Sequence, residues 1–316
     1  MIEAENLSKT FDEFTAVYDL SVSVPAGQLL ALLGPNGAGK TTTVRMIGAI
    51  LRPTTGSATV NGFDVVKQAD KVRRSIGMLT EQPGLYLRMS GLEYLLYYGR
   101  LYGMSDDLIR QRGQAMFARF GMEGDEFRRL GTYSKGMRQK VGLIRAMLHD
   151  PAVLLLDEPT SAMDPHSAKL VRDAIRELRD DERTIILCTH NLAEAESLAD
   201  NIAIVQDGTI VAQNTPKELK DKLLGKPQME IRLNKPLNGQ VESIQSLVAV
   251  DTVEENIIRY RTDDPEQVNP QLVRCLMEMG LGVVALQEVP QSLEDVYLRV
   301  VSDGSKKVFI QEREDE

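Results

Sequence analysis

Apolar positions along this chain follow two rhythms. "SVSV" at 21–24 alternates with period two, and "QLLALL" at 28–33 is a continuous apolar run, with Pro25-Ala26-Gly27 as the turn between them. The first 33 residues therefore predict short strands. "GSATVNG" at 56–62 predicts another, ended by an Asn-Gly turn. "KTTTVRMIGAI" at 40–50 predicts a helix directly after a glycine-rich turn. Residues 90–120 lose the strand rhythm and predict two helices, "SGLEYLLYYGRLYG" and "SDDLIRQRGQAMFARFG", the second capped by Ser105 with Asp106. On the first, Tyr94, Tyr98 and Tyr102 share a face with Leu95 and Leu101 and are expected in the core, while Tyr97 points elsewhere.

After residue 133 the pattern becomes helix, strand, helix, strand: "MRQKVGLIRAML", "AVLLLD", "PHSAKLVRDAIRELRD", "RTIILCT". Continuous apolar strands alternating with amphipathic helices imply a parallel sheet covered on both faces, an α/β fold. "LADNIAIVQDGTIVAQNTPKEL" predicts two strands joined at Asp207-Gly208. Composition shifts near 225–236, and the segments beyond it predict a small α+β module. These readings divide the chain into a domain at 1–224 with a helical part at about 86–135, an accessory α+β domain at 225–305, and a mobile tail at 306–316.

With 316 residues, 42% hydrophobic and 26% charged, the chain can bury an ordinary globular core. The net charge of −9 argues against non-specific nucleic-acid binding, and no nucleic-acid partner is expected. The two cysteines, Cys188 and Cys275, each lie in an apolar run, so inert thiols in a reducing compartment are expected. The N-terminus is too polar for a signal peptide, and runs such as "LLALL" fall far short of the ~20 apolar residues that span a bilayer. Any membrane link is expected to come through a partner.

"GPNGAGKT" fits G-x-x-x-x-G-K-[ST] at Gly34, Gly39, Lys40 and Thr41, between a buried strand and a helix. Backbone N–H groups of 37–42 are expected to ring phosphates, aided by the helix N-terminus. Lys40 adds a point charge for the β/γ oxygens, and Thr41 a hydroxyl for Mg2+. "LLLDEP" carries Asp157 to the carboxyl end of a strand, where ligands collect in open α/β sheets. Asp157 is expected to hold Mg2+, and Glu158 to orient or deprotonate an attacking water. A guanine clamp is missing, since "NKPL" at 234–237 lacks the acid.

One stretch, "GTYSKGMRQK" at 131–140, offers a second phosphate-suited segment. Within it "YSKGMRQ" resembles the signature motif of ATP-binding cassette (ABC) ATPases, L-S-G-G-Q, with Ser134 and Gly136 matching and Tyr133, Lys135 and Met137 departing. Other landmarks of that family follow in order over about 1–220. Phe11, by itself equally a core aromatic, matches the residue that stacks on adenine. "SAMD" at 161–164 resembles the dimer loop, with Ser161 and Asp164. His190 matches the switch histidine, whereas His149 and His166 lack such context and are expected to be surface or packing residues. A glutamine that senses Mg2+ falls near 81 in the family. Here Glu81 aligns with it and Gln82 stands beside it, and either oxygen could serve.

The resemblance implies a P-loop NTPase cassette: a RecA-like core, an antiparallel β subdomain and a helical subdomain. It implies ATP held by Phe11 and by Gly34, Pro35, Asn36, Gly37, Ala38, Gly39, Lys40, Thr41 and Thr42. It implies catalysis by Glu158, His190 and Lys40, and a Mg2+ site of Thr41, Asp157 and Glu81 or Gln82. Two cassettes, as a homodimer, are implied to pack head-to-tail, with Ser134, Lys135, Gly136 and Met137 facing the partner's ATP. Ser134 as a helix N-cap suits that part, because its helix starts with free N–H groups. The implied function is ATP hydrolysis powering export of a small molecule, ion or lipid through an integral membrane permease, at the cytoplasmic face of the membrane. Tyr86, Leu87 and Tyr97 are expected to border the groove that receives the permease. "SLEDVYLRVV" at 292–301 resembles the end of an extra C-terminal domain of exporter-type members. The alternative is a soluble ABC protein acting on ribosomes or DNA. Those usually fuse two cassettes or insert long coiled coils, and this sequence does neither.

Overall fold

Leu29–Leu33 (β3), Val153–Asp157 (β7) and Thr184–Thr189 (β8) are buried at every position, as strands covered on both faces must be. They form the centre of the structure, a computed structural model that describes residues 1–161, 163–180, 183–225, 227–237, 242–289 and 292–302. Ala162 of the expected dimer loop and the 306–316 tail lie outside the described residues.

The chain opens with an antiparallel pair, Ile2–Phe11 (β1) and Phe14–Val24 (β2), ahead of β3. Lys40–Ile47 (α1) is shorter than the 40–50 expected, because Gly48 ends it and Ala49 takes a positive φ of 53°. Thr55–Val60 (β4) and Phe63–Asp64 (β5) meet at Asn61-Gly62, both left-handed, which suits a tight hairpin. Ala69–Ser75 (α2) and Ile76–Leu79 (β6) follow.

Gly91–Leu101 (α3) starts with a full capping box of Ser90 and Glu93, and Asp106–Arg119 (α4) with Ser105 as its cap. The face expected to be core on α3 is buried only at Tyr94 and Leu95. Tyr98 is half-buried, and Leu101 and Tyr102 are 65% and 39% exposed. Gly99 stays buried against Ile109 and Leu148 and Tyr102 stacks on His149, so the helix end is packed while its long side chains reach partly into solvent. Lys135–Met147 (α5), Pro165–Asp180 (α6) and Leu192–Leu198 (α7) flank β7 and β8, and Asn201–Gln206 (β9) and Thr209–Asn214 (β10) form the expected hairpin.

Sheet order in the larger sheet is β10-β9-β3-β8-β7-β6, parallel except for the β9–β10 hairpin. A separate antiparallel sheet runs β2-β1-β4-β5. Register decides where the chemistry sits. Leu33 pairs with Thr189, and Asp157 with Cys188. The loop after β3, the acid ending β7 and the residue after β8 therefore leave the sheet at one edge.

The chain divides into two compact units, Met1–Pro216 and a second beginning at Lys217. The second contains most of Pro216–Leu224 (α8), then Gln228–Leu233 (β11), Glu242–Gln245 (α9), Ala249–Glu254 (β12), Ile257–Arg261 (β13), Pro265–Glu278 (α10), Val283–Glu288 (β14) and Leu293–Ser302 (α11). Its antiparallel sheet has the order β12-β13-β11-β14. Met229, Ile231 and Leu233 alternate inward against Ile258, Tyr260, Leu272 and Leu276. The opposite face carries ion pairs, Arg259–Glu230 at 3.0 Å and Arg261–Asp251 at 2.8 Å.

Candidate functional site

The loop between β3 and α1 is held close to its surroundings by glycine. A Cβ on Gly34 would lie 2.2 Å from the Val205 carbonyl oxygen, and one on Gly39 2.5 Å from that of Ala16. Gly39 also takes φ = 99°, which only glycine adopts cheaply. As the N-cap of α1 it offers no side-chain acceptor, so the first-turn N–H groups of 40–42 are left for a ligand. Lys40 is buried, and its Nζ donates to the carbonyls of Gly34 (2.6 Å) and Pro35 (2.9 Å). Its charge thus folds back over the loop it belongs to.

Thr41 Oγ1 donates to Asp157 Oδ2 at 2.9 Å. The other oxygen, Oδ1, is buried with no hydrogen-bond partner. Burial pushes the Asp157 carboxyl upward, and the charges of Glu158 and Glu81 add to that; Thr41 and Lys40 oppose it. A buried carboxylate with one orphaned oxygen and negative neighbours lacks positive charge. The donor set, a hydroxyl and carboxylates, is the hard-oxygen chemistry of Mg2+.

Glu158 takes φ = 51°, a left-handed conformation uncommon for a non-glycine residue. Its N–H donates to the Cys188 carbonyl at 2.9 Å, its side chain is 12% exposed, and Oε1 lies 2.8 Å from His190 Nδ1. The backbone turn aims the carboxylate from the strand end toward the histidine. Burial raises the Cys188 thiol well above its ordinary range, as an inert thiol requires, and both cysteines are free.

Lys40, Thr41, Asp157, Glu158 and His190 are therefore one cluster, with Glu81 near enough for its charge to act on Asp157. No hydrogen bond joins Ser134 or Phe11 to that cluster among the described residues. Phe11 is 44% exposed at the tip of the β1–β2 hairpin, beside Lys9 Nζ at 5.1 Å. Ser134 is the N-cap of α5, its Oγ accepting from Met137 N–H at 3.2 Å. Lys135 is exposed, and Gly136 faces Met163. Ser161 N–H donates to the Glu158 carbonyl, while exposed Asp164 caps α6 by accepting from Ser167 N–H at 3.0 Å. Glu81 and Gln82 are both exposed and line a cavity of about 210 Å³ with Lys135, Arg138 and Gln139.

His149 packs rather than reacts: its ring stacks on Tyr102 at 3.7 Å, and Nε2 meets the Ile76 carbonyl at 3.0 Å. His166 is exposed. Three residues escaped the motif reading. Gln139, buried on α5, donates to the Glu158 carbonyl at 3.2 Å. Arg145 donates to the carbonyls of Pro83 and Met78 and to Tyr94 Oη, tying the 81–83 loop to α5. Glu194 joins the 158–164 loop to the end of β8. Only for Glu194 was there a local signal, its place three residues after Asn191 at a helix start.

No helix among the described residues is long and apolar enough to cross a membrane. The chain matches the ABC transporter family over 17–161 and the C-terminal domain of DrrA1-3-like ATP-binding proteins over 215–301. It is 38% identical over 244 residues to the ABC transporter ATP-binding protein NatA of Bacillus subtilis (strain 168), covering 76% of this chain and 99% of the relative. It is 36% identical over 305 residues to the daunorubicin/doxorubicin resistance ATP-binding protein DrrA of Streptomyces peucetius, covering 94% and 91%. A solved ATP-binding subunit of an ABC transporter superposes with a TM-score of 0.67 at 28% identity, over 71% of this chain and 94% of that one. The cluster at the strand ends thus lies in a chain that belongs to the ABC transporter ATP-binding proteins, an ATPase whose hydrolysis drives transport.

Proposed function

We propose that two copies of this chain close head-to-tail on Mg2+ and ATP, and that the closed pair drives export through a separate integral membrane permease at the cytoplasmic face. Phe11 stacks on adenine, and the 34–42 loop with Lys40 grips the phosphates. Ser134, Lys135, Gly136 and Met137 of each copy face the nucleotide held by the other. The unshared N–H groups at the start of α5 support that part, because they form an anion site.

The observation that carries the reading is the orphaned Asp157 Oδ1 beside the Glu158–His190 pair. Thr41, Asp157 and Glu81 or Gln82 hold Mg2+, which when bound neutralises charge on the phosphate oxygens. Glu81 is favoured because it aligns with the glutamine that senses Mg2+ in the family. His190 occupies Glu158 Oε1, which leaves Oε2 to take the proton of the attacking water. With Nδ1–H donating to that oxygen, the neutral ring keeps Nε2 as an acceptor, and Nε2 donates to a phosphate oxygen only when the ring is protonated.

For the permease, Tyr86, Leu87 and Tyr97 are exposed as a docking border requires. A neighbouring apolar cavity of about 200 Å³, lined by Ile50, Met78, Tyr98, Tyr102 and Arg145, deepens the same surface. Similarity to a drug-resistance ATP-binding protein supports export of a small organic molecule.

Glu158→Gln tests this. Turnover is expected to fall by roughly 10²–10⁴-fold with ATP affinity retained. Size measurement in Mg2+ and ATP is expected to show a dimer. Undiminished turnover, or a monomer at saturating ATP, refutes the reading.

A further inference from the structure

Glu194 is a carboxylate with 2% exposure, on a helix that the phosphate site does not include. Its two oxygens are both taken. Oε1 accepts from Thr160 Oγ1 at 2.7 Å, and Oε2 accepts from Thr189 Oγ1 at 2.7 Å. Thr160 stands two residues after Glu158, and Thr189 immediately precedes His190. One side chain therefore joins the loop that presents the acid to the strand end that presents the histidine.

The local structure frees Glu194 for this. Asn191 caps α7, and its side chain accepts from Glu194 N–H at 3.1 Å. A glutamate at that place ordinarily turns back to the cap residue's own N–H. Here the Asn191 N–H is already bonded to Thr189 Oγ1 at 3.0 Å, so the carboxylate reaches across to Thr160. Both hydroxyls donate, which suits the ionised form. Burial raises the carboxyl's pKa, and the bonds from Thr189 and Thr160 lower it.

The result is a second bridge alongside the functional one. Glu158 and His190 meet through their side chains at 2.8 Å, and the Glu158 N–H holds the Cys188 carbonyl at 2.9 Å. Behind them Thr160–Glu194–Thr189 closes the ring. A buried charge is expensive to keep unless its contacts matter, and both contacts of this one are to the segments carrying the pair.

We propose that Glu194 is a positioning residue: it fixes the spacing between the 158–161 loop and His190, so that Glu158 and His190 stay within hydrogen-bond reach during hydrolysis. Its carboxylate bonds Thr160 and Thr189 and makes no hydrogen bond to Glu158 or His190 themselves. The inference rests on the reading of Glu158 and His190 as the hydrolytic pair.

The test uses the full-length chain with Mg2+ and ATP, and compares Glu194→Gln, Thr160→Val and their double variant, with His190→Ala as reference. Glu194→Gln keeps the shape but accepts from one threonine only; its amide must donate to the other hydroxyl, whose own proton then loses its acceptor. Each single variant is expected to lower kcat by about tenfold while KM and the equilibrium affinity for ATP stay within about twofold. The double variant is expected to fall no further than the worse single one, because both break one bridge. A merely structural role would instead raise KM, weaken ATP binding and lower Tm along with kcat. Unchanged kcat in Thr160→Val, multiplicative losses in the double variant, or parallel loss of ATP affinity each overturns the proposal. Should Glu194→Gln not fold, Thr160→Val and Thr189→Val carry the same comparison. If His190→Ala itself leaves turnover intact, the pair has been misread. If His190→Ala abolishes turnover while the bridge variants do not change it, only the bridge is wrong.

Discussion

In the first unit the interior holds Lys40, Glu126, Lys140, Asp157 and Glu194, all buried. In the second unit, among the described residues, no carboxylate or cation is buried. Its core is Met229, Ile231, Leu233, Ile258, Leu272 and Leu276, and its charges pair on the outer sheet face. Tyr260 is its largest buried polar side chain, and its hydroxyl is satisfied by Asn269. Removing a charge from water costs free energy that only close partners offset. The first unit bears that cost at Lys40 and Asp157 in the candidate site and at Glu194 behind it, and also at Glu126 and at Lys140, which donates to the Phe120 carbonyl at 3.0 Å. The second shows the alternating apolar pattern of a small α+β domain whose interior serves packing. Buried charge thus separates the region built around chemistry from the region built for cohesion, though both are α and β.

Three experiments bear on that contrast. Ile231→Ala removes a fully buried side chain from the second unit and is expected to cost about 2–5 kcal/mol. Hydrogen exchange across 228–289 should accelerate while ATP affinity is unchanged; weakened ATP binding would break the separation. Lys40→Ala is next in size. Charge-assisted hydrogen bonds are worth about 1.5–3 kcal/mol, so ATP is expected to bind roughly 10- to 150-fold more weakly in equilibrium titration. Exchange in the second unit should not change, and normal ATP affinity would remove Lys40 from the phosphate site.

The smallest effect concerns pH. All three histidines lie in the first unit. Burial lowers the pKa of His149 below its ordinary 6.5, against the pull of the Ile76 carbonyl. Below 6.5 the unfolded chain takes up a proton that the folded chain resists, so this group's stabilisation is present above 6.5 and is lost as pH falls. Tm is expected to drop between pH 7.5 and 5.5, and His149→Phe, which keeps a ring beside Tyr102, should flatten that drop. An identical slope in the variant would show that His149 does not titrate in this way.

Much of the site was legible residue by residue. Gly34, Gly39, Lys40 and Thr41 form a local motif of eight residues. Asp157 and Glu158 follow an apolar run that can only be an interior strand. Gln139 and Arg145 were not legible, because a polar residue on an amphipathic helix looks the same whether it meets water or a distant carbonyl; Glu194 showed only its place at a helix start. Tyr98, Leu101 and Tyr102 failed in the opposite sense. Their helical spacing is that of a core face, but Tyr98 is only half-buried and Leu101 and Tyr102 are 65% and 39% exposed.

The sequence alone determined much of what is short-range: most of the strands and helices of the first unit and the glycine-rich turn between β3 and α1. Those follow from backbone sterics and from apolar periodicity within a few residues. Tertiary structure alone decided the strand order β9-β3-β8-β7-β6, the pairing of Leu33 with Thr189 and Asp157 with Cys188, and hence the meeting of Glu158 with His190. Those contacts join residues more than thirty apart, and their free energy comes from burying surfaces that no single segment possesses by itself.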